Sequence, residues 1–345
     1  MSRYRAVRER YDESDCARAK EKQQRRDFYS KFTEDVLTKN FVEFEEGEIR
    51  GISESVERQK RLSWHRWVDL AHKLPKPSAR LFCCPWAGGN SSAFDAWPAQ
   101  LPGVEVIPLL LPGHLTRADE CPLTSVADMA TLVVDALRGL ELLGHEENIP
   151  WFVFGHELGA LLAFEMCRRF EEEFPAAGLF VSGMGCPQMV HERQKLSLLC
   201  RTSENGPEVL HTNNIEFKNA MLRRGGLPRE VCENTELMEI FTHLWFADLS
   251  ALDGFEYGSG TGLIDCPIYS FGGTKDPEIQ SSLRLWSMES SSDKSTSTLF
   301  QGDIFFLLEP ENEARILQII HDRCRDSAGW SGADKRIDTN VATRT

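Results

Sequence analysis

The sequence predicts an α/β fold, a mostly parallel sheet with helices on both faces and a helical lid inserted late in the sheet. Three observations carry this. Short apolar runs alternate with helical patterns from about residue 79 to 183. One such run, Trp151 to Phe154, ends at Gly155 and passes through His156, Glu157, Leu158 and Gly159 into an alanine- and leucine-rich helical run. From Val190 to Tyr257 the pattern is helical without strands, and the sheet then resumes at Cys266. Strands alternating with helices call for parallel pairing, because each helix carries the chain back to the same end of the sheet.

The chain has 345 residues, enough for one large domain or two ordinary ones, and at 41% hydrophobic it can bury a substantial core. A net charge of -14 argues against direct binding to nucleic acid or an anionic membrane. No apolar run is long enough to span a bilayer. The N-terminus is basic at Arg3, Arg5 and Arg8 but lacks the apolar core of a secretory signal, and Glu9, Asp12, Glu13 and Asp15 follow at once. The expectation is an intracellular, cytoplasmic protein, with a mitochondrial or plastid address left open by the short basic start. Ten cysteines are scattered without a C-x-x-C pair, which reads as reduced, buried thiols and no zinc site.

Residues 1–60 form a segment of their own. From Arg3 to Arg26 charges of both signs alternate with little apolar content, which reads as a solvated helix or a disordered arm. Phe28, Phe32, Val36, Leu37, Phe41 and Phe44 then approximate one face of an amphipathic helix, packed on its own domain or docking a partner. The main domain is assigned to residues 61–325. Its first strand is Ala79 to Pro85, running into Trp86-Ala87-Gly88-Gly89-Asn90, a glycine pair that can present backbone N–H groups. Phe94 to Leu101 reads as a short helix and Val104 to Leu109 as the next strand. Thr124 opens a helix with a buried stripe of Leu132, Val133, Ala136, Leu137 and Leu140. The strand Trp151 to Phe154, the helix Ala160 to Phe170 and the strand Gly178 to Gly183 follow.

The lid is placed at residues 190–257, with helical pieces at Glu216 to Leu222 and Asn234 to Leu249. The sheet resumes with Cys266 to Phe271, followed by Gly272-Gly273-Thr274-Lys275-Asp276-Pro277. Ser287 to Thr298 is serine-rich and reads as a flexible surface loop, with a short last strand at Thr298 to Phe300. The turn Gln301 to Leu308 leads to a final helix, Glu311 to Cys324, and a disordered tail at 326–345.

The stretch around Glu157 has the layout of a nucleophile elbow, G-x-Ser-x-G, where a strand turns sharply into a helix. Glutamate stands in the serine's place. From about Arg80 to Arg323 the chain resembles a type II thioesterase, an α/β-hydrolase that works beside polyketide, nonribosomal-peptide and fatty-acid synthases. The resemblance rests on Phe82 to Gly89, Leu111-Pro112-Gly113, Phe154 to Glu165, Val181-Ser182-Gly183, Gly225 to Val231, Phe246-Ala247-Asp248, Phe271 to Asp276 and Gly302 to Phe306. It implies hydrolysis of acyl groups from a carrier protein's phosphopantetheine thioester, by a serine, a histidine and an aspartate beside a backbone oxyanion hole. It also implies no cofactor and no metal.

Carried over residue by residue, the resemblance puts the triad acid at Asp276 and the oxyanion donors at the N–H groups of Ala87 and Leu158. It puts Glu157 at the nucleophile and Ile304 at the histidine. Two of three catalytic groups are therefore absent. Ile304 cannot activate water, and attack of the Glu157 carboxylate on a thioester would give a mixed anhydride. His156 beside the elbow reads as a packing residue. Glu157 and Asp276 would face one pocket, so a proton, a cation or a lid arginine (Arg223, Arg224) must neutralise them; an eroded site with a salt bridge or water is favoured over a hard-cation site.

The expectation is a thioesterase-like protein that has lost classical acyl-thioester hydrolysis. It acts instead as a binding or structural subunit of a larger assembly, keeping an affinity for an acyl carrier protein or acyl thioester and using the N-terminal arm to join a complex. The alternative is an active thioester hydrolase with a rearranged site, its base drawn from His114, His243 or His321. A regulatory protein that binds acyl-CoA is a third reading.

Overall fold

The computed structural model describes residues 63–143, 149–193, 200–203, 206–209, 235–258 and 263–328. The N-terminal arm at 1–60, the lid pieces at Glu216 to Leu222 and Gly225 to Val231 with Arg223 and Arg224, and the tail from 329 onward lie outside these residues.

Six strands form one sheet in the order β2-β1-β3-β4-β7-β8, every neighbouring pair parallel. They are β1 (Ala79–Cys84), β2 (Val104–Pro108), β3 (Trp151–His156), β4 (Gly178–Ser182), β7 (Ile268–Gly273) and β8 (Thr296–Phe300). The four inner strands are buried along nearly their whole length, as a sheet covered on both faces must be. The pleat divides them between two apolar layers. Phe82, Cys84, Trp151 and Val153 face one layer with α2 (Val126–Gly139), α3 (Leu158–Phe170) and the lid helix α5 (Thr235–Asp253). Leu81, Cys83, Phe152 and Phe154 face the other, with α1 (Trp97–Gln100) and α7 (Pro310–Ser327). The remaining helices, α4 (Pro187–Arg193) and α6 (Pro277–Ser282), follow β4 and β7.

Four expectations are corrected. The lid region is not free of strands: β5 (Cys200–Ser203) and β6 (Gly206–Val209) pair antiparallel, with Cys200 opposite Val209. Two four-residue strands carrying Arg201, Pro207 and Glu208 lack the apolar alternation that reveals a strand. The serine-rich stretch at 287–298 is not a loop throughout. A 3-10 helix fills Leu283–Glu289, Glu289 and Ser290 are buried, and β8 begins at Thr296. Hydroxyls do here what apolar side chains do elsewhere: Ser290 donates to the Cys266 carbonyl at 2.7 Å, Ser291 donates to Asp265 at 2.7 Å, and Ser295 accepts the Ile268 N–H at 3.0 Å.

The other two corrections concern helix ends. The helix expected to open at Thr124 begins at Val126, with Ser125 as the N-cap of α2, and the Ser125 hydroxyl accepts the Asp128 N–H at 3.2 Å. The final helix runs on to Ser327, past the start assigned to the tail. Ser125→Ala leaves that N–H without its partner, so it is expected to lower stability by about 1 kcal/mol, read as a lower urea midpoint at unchanged slope.

Of the cysteines described, Cys83, Cys84, Cys167, Cys186, Cys266 and Cys324 are buried free thiols and Cys121 is exposed. Burial pushes the Cys186 thiol up to about 12 and those of Cys83, Cys84 and Cys324 further, which leaves them protonated and unreactive. Among the described residues no helix is long and apolar enough to cross a membrane.

Candidate active site

The elbow is a consequence of two glycines and a strained residue between them. A Cβ on Gly155 would lie 2.0 Å from the Gly159 carbonyl oxygen, and one on Gly159 would lie 2.2 Å from the carbonyl oxygen of Cys84. Only glycine lets β3, β1 and the start of α3 approach so closely. The chain then turns within one residue, and Glu157 takes φ 54° and ψ -115°. This conformation costs a side-chain-bearing residue about 1–3 kcal/mol. Hydrogen bonds on both sides hold it: the Glu157 N–H donates to the Ser182 carbonyl at 2.8 Å, and its own carbonyl accepts the Ala160 N–H at 2.9 Å.

Glu157 is 1% exposed. Its carboxylate reaches across to the loop after β1, where Oε2 accepts the backbone N–H of Ala87 at 3.2 Å. Leu158, the other expected oxyanion donor, is buried at the first position of α3, where a helix leaves its N–H groups without intrahelical acceptors. The elbow's own side chain therefore engages one of the two groups expected to receive a substrate oxyanion.

The expected acid and histidine positions lie on neighbouring turns. Asp276 follows β7 and is the N-cap of α6, its Oδ1 accepting the Ile279 N–H at 3.0 Å. The N–H of Lys275 donates to the Gly302 carbonyl at 2.7 Å and that of Thr274 to the Phe300 carbonyl at 2.8 Å, which ties the turn after β7 to the one after β8. Ile304 sits in that second turn, partly buried against the apolar layer containing Phe305 and Phe306. Sequence reasoning expects Glu157 and Asp276 to share a pocket in need of a neutralising group. In the structure each carboxylate accepts a backbone N–H of its own, which answers part of that charge without a cation.

His156 is a packing residue. It is fully buried, its Nδ1 lies 3.0 Å from the Ser182 hydroxyl, and its ring meets those of Trp86 and Phe305 at 5.6 Å each. His114 is engaged on both ring nitrogens: Nδ1 is 3.1 Å from the Pro112 carbonyl and Nε2 is 3.1 Å from Asp248 Oδ2. Both partners are acceptors, so the ring satisfies them together only as imidazolium, with no lone pair left for a general base. Burial pushes the His114 imidazole down, but the Asp248 charge, its hydrogen bond and those to Pro112 and Leu111 outweigh this and leave the value raised. His321 is buried in α7, and the His243 side chain lies outside the described residues.

A raised histidine value has a signed consequence for stability. The contribution of the His114–Asp248 pair is expected to be complete below about pH 6.5 and to fade as pH rises through the His114 value. Urea midpoints should follow that fall in the native chain and lose it in Asp248→Asn.

Sequence reasoning passed over Trp245 and gave Asp248 no role. The signal was present: Asp248 is a lone acid in the apolar run Leu244 to Leu252, and an acid buried in such a run needs a partner.

The strand order, with a strained turn from β3 into α3, makes the domain an α/β-hydrolase. A family model described as the thioesterase domain matches residues 79–324. The gramicidin S biosynthesis protein GrsT of Aneurinibacillus migulanus is 31% identical over 253 residues, covering 72% of this chain and 91% of the relative. The medium-chain S-acyl fatty acid synthase thioesterase of Rattus norvegicus is 26% identical, covering 71% of this chain and 88% of that one. Among solved structures, the RedJ thioesterase of the prodiginine pathway in Streptomyces coelicolor superposes with a TM-score of 0.61 at 26% identity, over 72% of this chain and 91% of its own. The type II thioesterase BorB of the borrelidin cluster gives 0.61 at 28% identity, over 75% and 98%. The chain belongs to the thioesterase family.

Proposed function

We propose that this chain is a thioesterase-fold protein that no longer hydrolyses acyl thioesters by the family's serine mechanism. It serves as a binding subunit for an acyl thioester or an acyl carrier protein within a larger assembly. The observation that carries this reading is the Glu157 carboxylate held 3.2 Å from the Ala87 N–H. An oxyanion hole accelerates acyl transfer by holding charge that develops in the transition state. A resident carboxylate at the same donor opposes that charge instead. Ile304 has no proton to exchange, so the step that activates water has no base at that position.

The alternative of a rearranged hydrolase draws on His114 for a base, and the two acceptors at its ring nitrogens count against it. Binding as the retained role follows the relatives: the rat protein's name places it with fatty acid synthase, and BorB and RedJ with biosynthetic pathways. The alternating charges from Arg3 to Arg26, followed by the apolar spacing from Phe28 to Phe44, suit a segment that docks on another subunit.

The native chain is expected to resist a fluorophosphonate probe and to leave octanoyl-CoA and octanoyl-carrier-protein intact, while binding one of them saturably by calorimetry. Turnover abolished by Glu157→Ala would sink the loss of catalysis. Absence of heat with both thioesters would sink the binding role.

A further inference from the structure

The loop between β1 and the 3-10 turn at Ser91–Phe94 is held from two sides. Glu157 takes the Ala87 N–H from below. From the other side comes the lid helix α5. The Trp245 indole Nε1 donates to the Ala87 carbonyl at 2.9 Å, and Asp248 Oδ2 accepts the Gly88 N–H at 2.7 Å. The Ala87 carbonyl and the Gly88 N–H are the two ends of one peptide group. Trp245 and Asp248 lie three residues apart, on one face of a helix. A single helix face thus grips both poles of a single peptide beside the elbow.

The fit is close. Gly88 has φ 75°, and a Cβ there would lie 2.0 Å from the Trp245 Nε1. Trp245 is 3% exposed and Asp248 1%. A buried carboxylate needs more than one N–H, and His114 supplies the second donor from the turn after β2. The last turns of α5 add an apolar anchor, Leu249, Ala251 and Leu252 lying with Trp245 in the apolar layer shared with α3. The helix therefore has an apolar anchor at one end and a polar grip next to it.

We propose that Trp245, Asp248 and His114 form a latch that holds α5 shut over the elbow, so that access to residue 157 is set by release of the Ala87–Gly88 peptide. This holds whether or not the elbow is catalytic. The charge-assisted bonds of Asp248 in this dry site are strong, yet Asp248→Asn removes their charge without taking away apolar surface.

Access can be read directly by chemical trapping in the full chain. Glu157→Cys places a thiol at the elbow, and its alkylation by iodoacetamide is timed by peptide mass spectrometry at position 157. Adding Asp248→Asn or Trp245→Phe is expected to speed alkylation about 10-fold each, the loss of one charged or buried hydrogen bond. Adding Ser125→Ala, a change of similar size away from the loop, is expected to leave the rate alone. Unchanged rates in both lid variants would overturn the latch. So would an equal rise with Ser125→Ala, which would mean general loosening. Trp245→Phe keeps an aromatic side chain but removes the pyrrole ring that packs on Gly88 along with its N–H, and it stays informative if Asp248→Asn does not fold.

Discussion

The double substitution Glu157→Ser with Ile304→His is expected to create thioester hydrolysis, with kcat about 10²-fold or more above the native chain. The scaffold for it is in place. The turn at residue 157 keeps its strained φ of 54°, the geometry that lifts a nucleophile out of the strand. Serine at that position removes the carboxylate from the Ala87 N–H and leaves that donor open. Histidine at 304 would stand on the turn that Lys275 and Thr274 tie to the end of β7, the strand that Asp276 follows. The single variants are expected to stay at background, because nucleophile and base act as one unit and either alone does little. Hydrolysis of octanoyl-CoA and labelling by a fluorophosphonate are the two readouts. A folded double variant that remains inert would show that residues 157, 276 and 304 do not converge as a triad.

Gly155→Ala is expected to cost about 3 kcal/mol or more, a large share of the ordinary stability of a domain. The added methyl would sit 2.0 Å from the Gly159 carbonyl oxygen and 2.6 Å from the Ala160 nitrogen. Both are backbone atoms at the start of α3, so no side chain can swing aside. Either the helix lifts off the sheet or the strand bows, and each opens the apolar layer around Leu161 and Leu162. The check is a urea midpoint well below that of Ser125→Ala, whose loss is one capping bond.

Much of this was legible in the residues. Apolar runs bounded by glycine or proline mark β1, β2, β3, β4 and β7, because a strand buried on both faces leaves a continuous hydrophobic signature, whereas the exposed edge strand β8 leaves none at its start. The elbow was legible because its two glycines are demanded by backbone contacts, and such demands do not depend on the residue between them. The hairpin at 200–209 and the ordered turn at 287–295 were not. The first is held by backbone pairing between two short strands and the second by hydroxyl bonds to Cys266, Asp265 and Ile268, and sequence periodicity records burial alone. Asp276 was legible as an acid after β7, whereas its work as a helix cap needed the position of Ile279. The engagement of Ala87 by Glu157 spans 70 residues, and no local pattern reports it.

The position of β8 has a further consequence. It ends the sheet and pairs with β7 alone among the described strands, so one row of its backbone groups faces outward. A row of that kind is a template on which a second chain can add a strand. Here the strand is only five residues long, exposed Thr296 and Ser297 occupy its start, and Asp293 and Lys294 precede it. Leu299, 45% exposed, is its one outward apolar side chain. Short length and hydrophilic chemistry give this margin little adhesion for other copies of itself.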